Sequence, residues 1–343
     1  MKTRKVGRTS VEVTEISFGC TGIGNLYKPV SRDDAAATLQ LAWDAGIRYF
    51  DTAPRYGHGL AELRLGDFLY GRPRDSYVVS TKVGRVLRPV SEDAVPDYGF
   101  ADPLPFAADY DYSYEGIMRA FDQCLTRLGL NRIDIVYIHD IGVLTHGKEE
   151  NKRHARALLD SGFKALDELK SRGAIKAIGV GVNEVQICLQ LMDHFTLDCI
   201  LLAGRYSLLD RSAEPELLAR CLKEGTSLVI GGVFNSGILA TGAIPGATFD
   251  YGPASADVQE RVRHLEAIAA KHKVPLAAAA MQFPLSSAAV ASVLIGTGNP
   301  KSLTRNLSQL DFKLDPAAWA EFDHYTLVAP DPADTTPWAS AEG

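Results

Sequence analysis

"RYFDTAPRYGHGLAELRLGDFLYG" (residues 48–71) is the stretch on which the fold turns. A short β-rich run, Tyr49-Phe50, meets a carboxylate at Asp51, turns through Pro54, Gly57 and Gly59, and becomes helix-like up to Gly71. The same strand-then-helix unit recurs along the chain. "EISFGC" precedes "SRDDAAATLQLAWDAG", where Ser31 predicts an N-cap ahead of two first-turn aspartates. "SYVVSTKVG" precedes "YEGIMRAFDQCLTRLGL", "IDIVYIHD" precedes "RALLDSGFKALDELKSRG", and "AIKAIGVGV" precedes "EVQICLQLMDHF". "DCILLAG", "SLVIGGVFN" and "ASVLIGTG" are followed by "AEPELLARCLKEG", "VQERVRHLEAIAAKHK" and "PKSLTRNLSQL". Counting the opening stretch, that is eight units.

The strand runs are short, apolar and nearly uninterrupted, as parallel strands buried on both faces are. Eight of them predict a closed (β/α)₈ TIM barrel, as one domain over residues 1–343. An open doubly wound sheet would carry G-x-G-x-x-G after its first strand, and "GCTGIGN" (19–25) lacks that spacing. "RKVGRTSVEVTE" (4–15) predicts an N-terminal hairpin around Gly7-Arg8. Two long connections break the rhythm, at 85–114 after the third strand and 235–255 after the seventh. Both leave C-terminal strand ends, where barrel enzymes keep their sites, and the Pro/aromatic-rich first one is expected to act as a substrate lid.

Composition narrows the function. A net charge of −6 without a basic stripe argues against nucleic acid and anionic membrane. The most apolar run, "VPLAAAAMQFPL" (274–285), is too short to span a bilayer, and the charged N-terminus lacks the apolar core of a secretory signal. Five scattered cysteines with no CxxC pair predict reduced structural thiols, a cytoplasmic location and no metal site.

Four polar residues lie at or just past consecutive strand ends: Asp51, Tyr56, Lys82 and His139. Singly, each has a bland reading as cap, rim packing, solvated charge or core histidine. In a barrel the four ends converge, and together they make chemical sense. A lysine cation favours the phenolate of a neighbouring tyrosine, and a carboxylate keeps that cation charged and aimed. The phenol then serves as a general acid/base, and the histidine holds the substrate oxygen.

"FDTAPRYGHGLAELRLG", "STKVG", "IDIVYIHD", "IGVGVNE" and "GTGNPKSLTRNL" resemble successive motifs of the aldo-keto reductase superfamily, over about Lys5 to Leu310. The resemblance implies that Tyr56 exchanges the substrate proton with Lys82 and Asp51 as its partners, that His139 orients the substrate, and that a nicotinamide cofactor lies across the mouth. "KVGR", "HD", "GVGVNE", "LLAGRYSLLD" and "GGVFNSGILATG" are similar to the branch with D-threo-aldose (L-fucose) and L-galactose 1-dehydrogenases, which oxidise C1 of a free sugar to a lactone. The expected sugar contacts are Tyr56, His139, Asp140, Arg205 and Phe100, with Tyr98 and Phe106 as further lid aromatics.

The implied cofactor residues are Gly22, Asp51, Asn183, Gly232, Phe234, Asn235, Ser236, Gly237 and Leu239, with Gly296, Thr297, Gly298, Ser302 and Asn306 at the adenosine end. There the glycines are expected to let backbone approach phosphate, and the helix from Pro300 to present free N–H groups. Departures from the wider family are a glycine, Gly231 or Gly232, for the tyrosine that stacks on the ring, Ala203 for a glutamine and Gly181 for a serine. Gly296 and Ser302 stand where relatives that prefer NADP carry cations, so NAD is the expected cofactor, with NADP the alternative if Lys301 and Arg305 compensate. Other readings are an NADPH-dependent carbonyl reductase, a Schiff-base barrel using Lys82, and a redox-sensing binding subunit. The oligomer is expected to be a monomer or homodimer.

Overall fold

The computed structural model describes residues 1–327. Eight parallel strands close into a barrel: β1 (Ile16–Gly19), β2 (Tyr49–Asp51), β3 (Val78–Val83), β4 (Ile135–His139), β5 (Ala177–Val182), β6 (Cys199–Ala203), β7 (Ser227–Gly231) and β8 (Val290–Ile295). Each pairs with its neighbours in chain order, and β8 returns to β1 through Val293 opposite Ile16. The expected N-terminal hairpin is present, pairing Thr3–Lys5 with Glu12–Thr14.

Helix starts follow local chemistry. Ser31, Ser113 and Ser255 each accept a hydrogen bond from a first-turn backbone N–H, satisfying a donor that the helix leaves unpaired. The fourth unit departs from expectation. Its helical region begins at Val143, not Arg156, and passes through a π turn at Leu158–Gly162 before continuing as Phe163–Ser171. Gly162 packs against the Tyr112 carbonyl so closely that a Cβ there would lie 2.2 Å from that oxygen. The long connection after β3 is also more regular than expected. Arg85–Pro89 and Phe106–Tyr110 pair antiparallel as a two-stranded ribbon, and the segment between them folds down over the mouth. The connection after β7 carries a smaller hairpin, Thr248–Phe249 with Gly252–Pro253.

Side chains alternate sharply between two environments. Phe18, Phe50, Val79, Val136, Ile138, Val180, Ile200 and Ile230 face outward into the large core beneath the helices. Tyr49, Ile135, Tyr137, Ala177, Cys199, Leu201 and Val229 fill the inside of the barrel, and Val6, Val11 and Val13 join them from the N-terminal hairpin. The hairpin therefore plugs the bottom of the barrel. Gly179 shows how tightly the inside is filled: a Cβ would sit 2.7 Å from Cδ1 of Tyr137 and 2.5 Å from the Cys199 carbonyl oxygen. Gly179→Ala is accordingly expected to destabilise the protein by about 1–3 kcal/mol, the usual range for overpacking a filled core. An unchanged chemical-denaturation midpoint would count against a rigid interior.

Candidate active site

The period-2 alternation sets the top layer of the barrel. Gly19, Asp51, Lys82, His139, Gly181, Ala203 and Gly231 are the last inward positions of β1 to β7. One half of this layer carries functional groups, and the other carries three glycines and an alanine. Lys82 Nζ donates to Asp51 Oδ2 at 2.6 Å and to the Thr52 carbonyl at 2.9 Å. Ser80 Oγ donates to the other carboxylate oxygen, Oδ1, at 2.6 Å. Tyr56 reaches in from the loop after β2, with its ring centroid 4.8 Å from Lys82 Nζ and 6.2 Å from the His139 ring. The four residues named from strand ends thus meet at one place.

Burial works against the Lys82 ammonium, yet Asp51 and the Tyr56 oxygen outweigh it and hold its pKa above the ordinary lysine value. Burial likewise pushes the Asp51 carboxyl up, with Lys82 pulling the other way. For Tyr56 burial is again the largest effect and is only partly offset by Lys82, so the phenol lies above the usual tyrosine value. At pH 7 the Tyr56 phenol keeps its proton, and the Lys82 cation limits how far its pKa climbs. Desolvation holds His139 well below the ordinary histidine value, so its ring is neutral. One ring nitrogen, Nε2, lies 3.4 Å from Asp140 Oδ2, while Nδ1 is buried with no partner among the described residues.

Three residues at this mouth carry no strand-end signature. Arg85, almost fully buried, hydrogen-bonds Asp140, and Arg55 Nη1 lies 3.7 Å from the same carboxylate oxygen. Asp140 holds a left-handed φ of 49°, and its carboxyl lies below the usual range because the Arg85 and Arg55 cations outweigh burial. Tyr112 donates to the His139 carbonyl at 2.7 Å and contacts His146 Nε2 at 3.0 Å. Above them, the segment between the ribbon strands bonds to the loop after β1 through Tyr27 N to Gly99 O and Ala101 N to Asn25 O, both 2.9 Å. Phe100 is thereby buried 6.3 Å from the Tyr56 ring, centroid to centroid, whereas Tyr98 packs on His58 instead.

Arg205 is engaged elsewhere. It donates to the Asn183 carbonyl at 2.8 Å and pairs with Asp210 at 3.4 Å and Asp250 at 3.1 Å, tying the loops after β5, β6 and β7 together. Asn183 Nδ2 in turn donates to the Tyr251 hydroxyl at 3.1 Å.

The residues expected at a nucleotide fall in two groups. Gly232, Phe234, Asn235, Ser236, Gly237 and Leu239 form the loop after β7, where Asn235 donates to the Gly204 carbonyl, Ser236 accepts from Tyr251 N and Leu239 is core. Gly296, Thr297 and Gly298 follow β8, and their small size has a cause inside the protein. A Cβ at Gly296 would lie 2.4 Å from Gly19 O, and one at Gly22 would lie 2.5 Å from the Thr297 carbonyl carbon. The expected free N–H groups at the next helix are also corrected. Asn299 caps it, accepting from Lys301 N at 2.9 Å and Ser302 N at 3.2 Å. Ser302 and Asn306 are half-buried on that helix, while Lys301 and Arg305 are exposed.

The floor beside Lys82 is open above its glycines. A Cβ at Gly231 would make only ordinary contacts, the nearest 3.6 Å from Ala203 Cβ, and one at Gly181 would lie 3.4 Å from Lys82 Cε. The protein has room for side chains there and carries none.

The profile of the Aldo/keto reductase family matches residues 15–326. Pyridoxal 4-dehydrogenase of Microbacterium luteolum is 46% identical, covering 95% of this chain and 98% of its own. D-threo-aldose 1-dehydrogenase of a Pseudomonas species is 40% identical over 92% and 95%. Among solved structures, glycerol dehydrogenase from Gluconobacter oxydans superposes with a TM-score of 0.75 at 21% identity, covering 97% and 98% of the two chains. At that identity the likeness speaks for the fold alone.

Tyr56→Phe is expected to lower turnover by ~10²–10⁴-fold while leaving cofactor affinity nearly unchanged, because it removes the proton-exchanging group. Lys82→Met should shift the residual pH profile upward, since the phenol loses the charge that restrains its pKa. Near-normal kcat in the first variant, or an unmoved profile in the second, would remove these roles. A separate outcome concerns His146, which burial beside His154 pushes down to about 4. Between the ordinary histidine value and pH 4 the unfolded chain binds the proton that the folded one refuses, so stability present above pH ~6.5 is lost on acidification. His146→Gln should flatten that loss in denaturant melts from pH 7 to 4; an identical slope would place the acid sensitivity elsewhere.

Proposed function

As the chain belongs to the aldo/keto reductase family, whose members are nicotinamide-dependent oxidoreductases, we propose that it oxidises the hemiacetal carbon of a small cyclic substrate to a lactone. The substrate class is a free aldose of the L-fucose, L-galactose or D-arabinose kind, and the preferred cofactor is NAD. The reading rests on one observation: the Tyr56 phenol and the neutral His139 ring converge beneath a mouth that mixes charge with aromatic surface.

A hemiacetal carbon bears one hydrogen and one hydroxyl. His139 would hold that hydroxyl oxygen, and Tyr56, as phenolate, would take its proton. Gly181, Ala203 and Gly231, with nothing larger than a methyl between them, would hold a nicotinamide, which when bound would supply the hydride acceptor. Loss of one proton and one hydride turns the hemiacetal carbon into the lactone carbonyl, so the atoms balance. Because the phenol lies above the usual tyrosine value, oxidation is favoured by alkaline pH and reduction by neutral pH. Arg55 and the Asp140–Arg85 pair supply donors and acceptors for ring hydroxyls, and a site built for hydroxyls rejects analogues that lack them. Arg205, bonded to Asn183, Asp210 and Asp250, takes a bracing role between loops.

A second substrate fits the same chemistry. Pyridoxal carries a hydroxymethyl group beside its aldehyde and closes to a cyclic hemiacetal, so its oxidation also ends in a lactone. Phe100 beside Tyr56 would suit its aromatic ring, and the relative at 46% identity bears that substrate in its name. For the cofactor, Gly296 and Ser302 offer no cation to a 2′-phosphate, and Lys301 and Arg305 are the exposed cations nearby in sequence.

The test is a panel of free aldoses and pyridoxal with NAD and NADP, followed by product analysis. Lactone with stoichiometric NADH and a higher kcat/KM for NAD is the expected result. Brisk NADPH-dependent reduction of simple aldehydes without any lactone would replace the reading with a carbonyl reductase. Equal efficiency with NADP would point to Lys301 and Arg305 as phosphate ligands.

A further inference from the structure

The inside of the barrel contains a polar chain that the chemistry above leaves without a task. Tyr137 and Tyr49, fully buried in the lower layers, have their hydroxyls 3.0 Å apart, and Tyr49 Oη is 3.0 Å from Ser80 Oγ. Ser80 Oγ then donates to Asp51 Oδ1 at 2.6 Å. Three hydroxyls in an otherwise apolar plug are costly to bury unless each is paired.

The direction of the chain follows from its end. An ionised carboxylate only accepts, so the single Ser80 hydrogen goes to Asp51. The Ser80 oxygen must then accept from Tyr49, and the Tyr49 oxygen from Tyr137. All three O–H dipoles point the same way, toward the carboxylate that holds Lys82. Each bond polarises the next and strengthens the last one.

We propose that Ser80, with Tyr49 and Tyr137 behind it, is a positioning device for the proton-transfer site: it fixes the Asp51 carboxylate in rotation and shares its charge, and so sets where the Lys82 ammonium sits against Tyr56. Asp51 has two oxygens and two masters. Lys82 holds Oδ2 and Ser80 holds Oδ1, so the carboxylate cannot turn about its own bond without breaking one of the two. With Ser80 removed, the whole charge of Asp51 falls to Lys82. The ammonium is drawn toward the strand and away from the phenol, which then loses part of the charge that favours its phenolate. The ionisable groups facing Asp51 are Lys82, Tyr56, Tyr49, Tyr137 and Cys20, and none but Lys82 carries charge at neutral pH.

The experiment uses Ser80→Ala and Tyr49→Phe, which remove hydroxyls with little change of volume, and the double variant, in which both ends of one buried bond are gone. The readout is the pH dependence of kcat for lactone-forming oxidation and, independently, for reduction of an aromatic aldehyde, so that failure of the hemiacetal reading stays separate from failure of this one. Ser80→Ala is expected to lower oxidative kcat at pH 7 by about tenfold, leave KM within twofold, and move the limb of both profiles up by at least half a pH unit. Tyr49→Phe should move it the same way by less, and should add nothing in the Ser80→Ala background, because it acts through that hydroxyl. Limbs that stay in place or move down in Ser80→Ala would overturn the proposal. Additive shifts in the double variant would also overturn it. If Ser80→Ala does not fold, the limb in Tyr49→Phe decides alone: a rise supports the device and an unmoved limb defeats it.

Discussion

A lysine ammonium and an aspartate carboxylate, both removed from water, hold this site together. Burying each ion alone costs several kcal/mol, and deleting one partner of such a pair is typically destabilising by about 3–5 kcal/mol. The pair survives because β2 and β3 are neighbours in register, with Asp51 opposite Ser80 and Lys82 two residues on, on the same face. Thr52 O and Ser80 Oγ complete the bonding, so neither charge looks into apolar space. Everything functional hangs from that pair. Tyr56 meets a cation whose position is fixed, His139 stays neutral, and the other side of the same layer can be bare.

Much of this was legible in the sequence for a physical reason. Parallel strands buried on both faces announce themselves as apolar runs, and polar residues at their C-terminal ends stand out against them. Asp51, Lys82 and His139 were visible for that reason, and Tyr56 because it follows a strand end by five residues. Ser80 was visible in principle, lying two residues before Lys82 and so on the same face, but serine in a strand has too many ordinary uses to attract attention. Arg55 and Arg85 had no signal, since their importance comes from a three-way meeting with Asp140 that only the closed barrel creates.

Tertiary neighbours supply constraints that the sequence alone does not display. Arg205 is held by Asp210 from its own loop and by Asp250 from the loop after β7, a meeting that only the closed barrel creates. The glycines at 296 and 298 are also required by the close approach of the loops after β1 and β8, with or without a ligand. The tyrosine pKa was judged from charges alone, and burial turned out to be the larger effect. In each case a neighbour outside the local pattern supplies the constraint.

The bare half of the top layer has a thermodynamic meaning. Surfaces that receive a flat ligand usually freeze several side chains as they close, at roughly 0.5–1.5 kcal/mol for each rotamer-rich group immobilised. Gly181, Ala203 and Gly231 have no rotamers to lose. A ring settling there meets a surface already in its final shape, and the entropy of the protein is nearly the same before and after. The floor is ready before anything arrives.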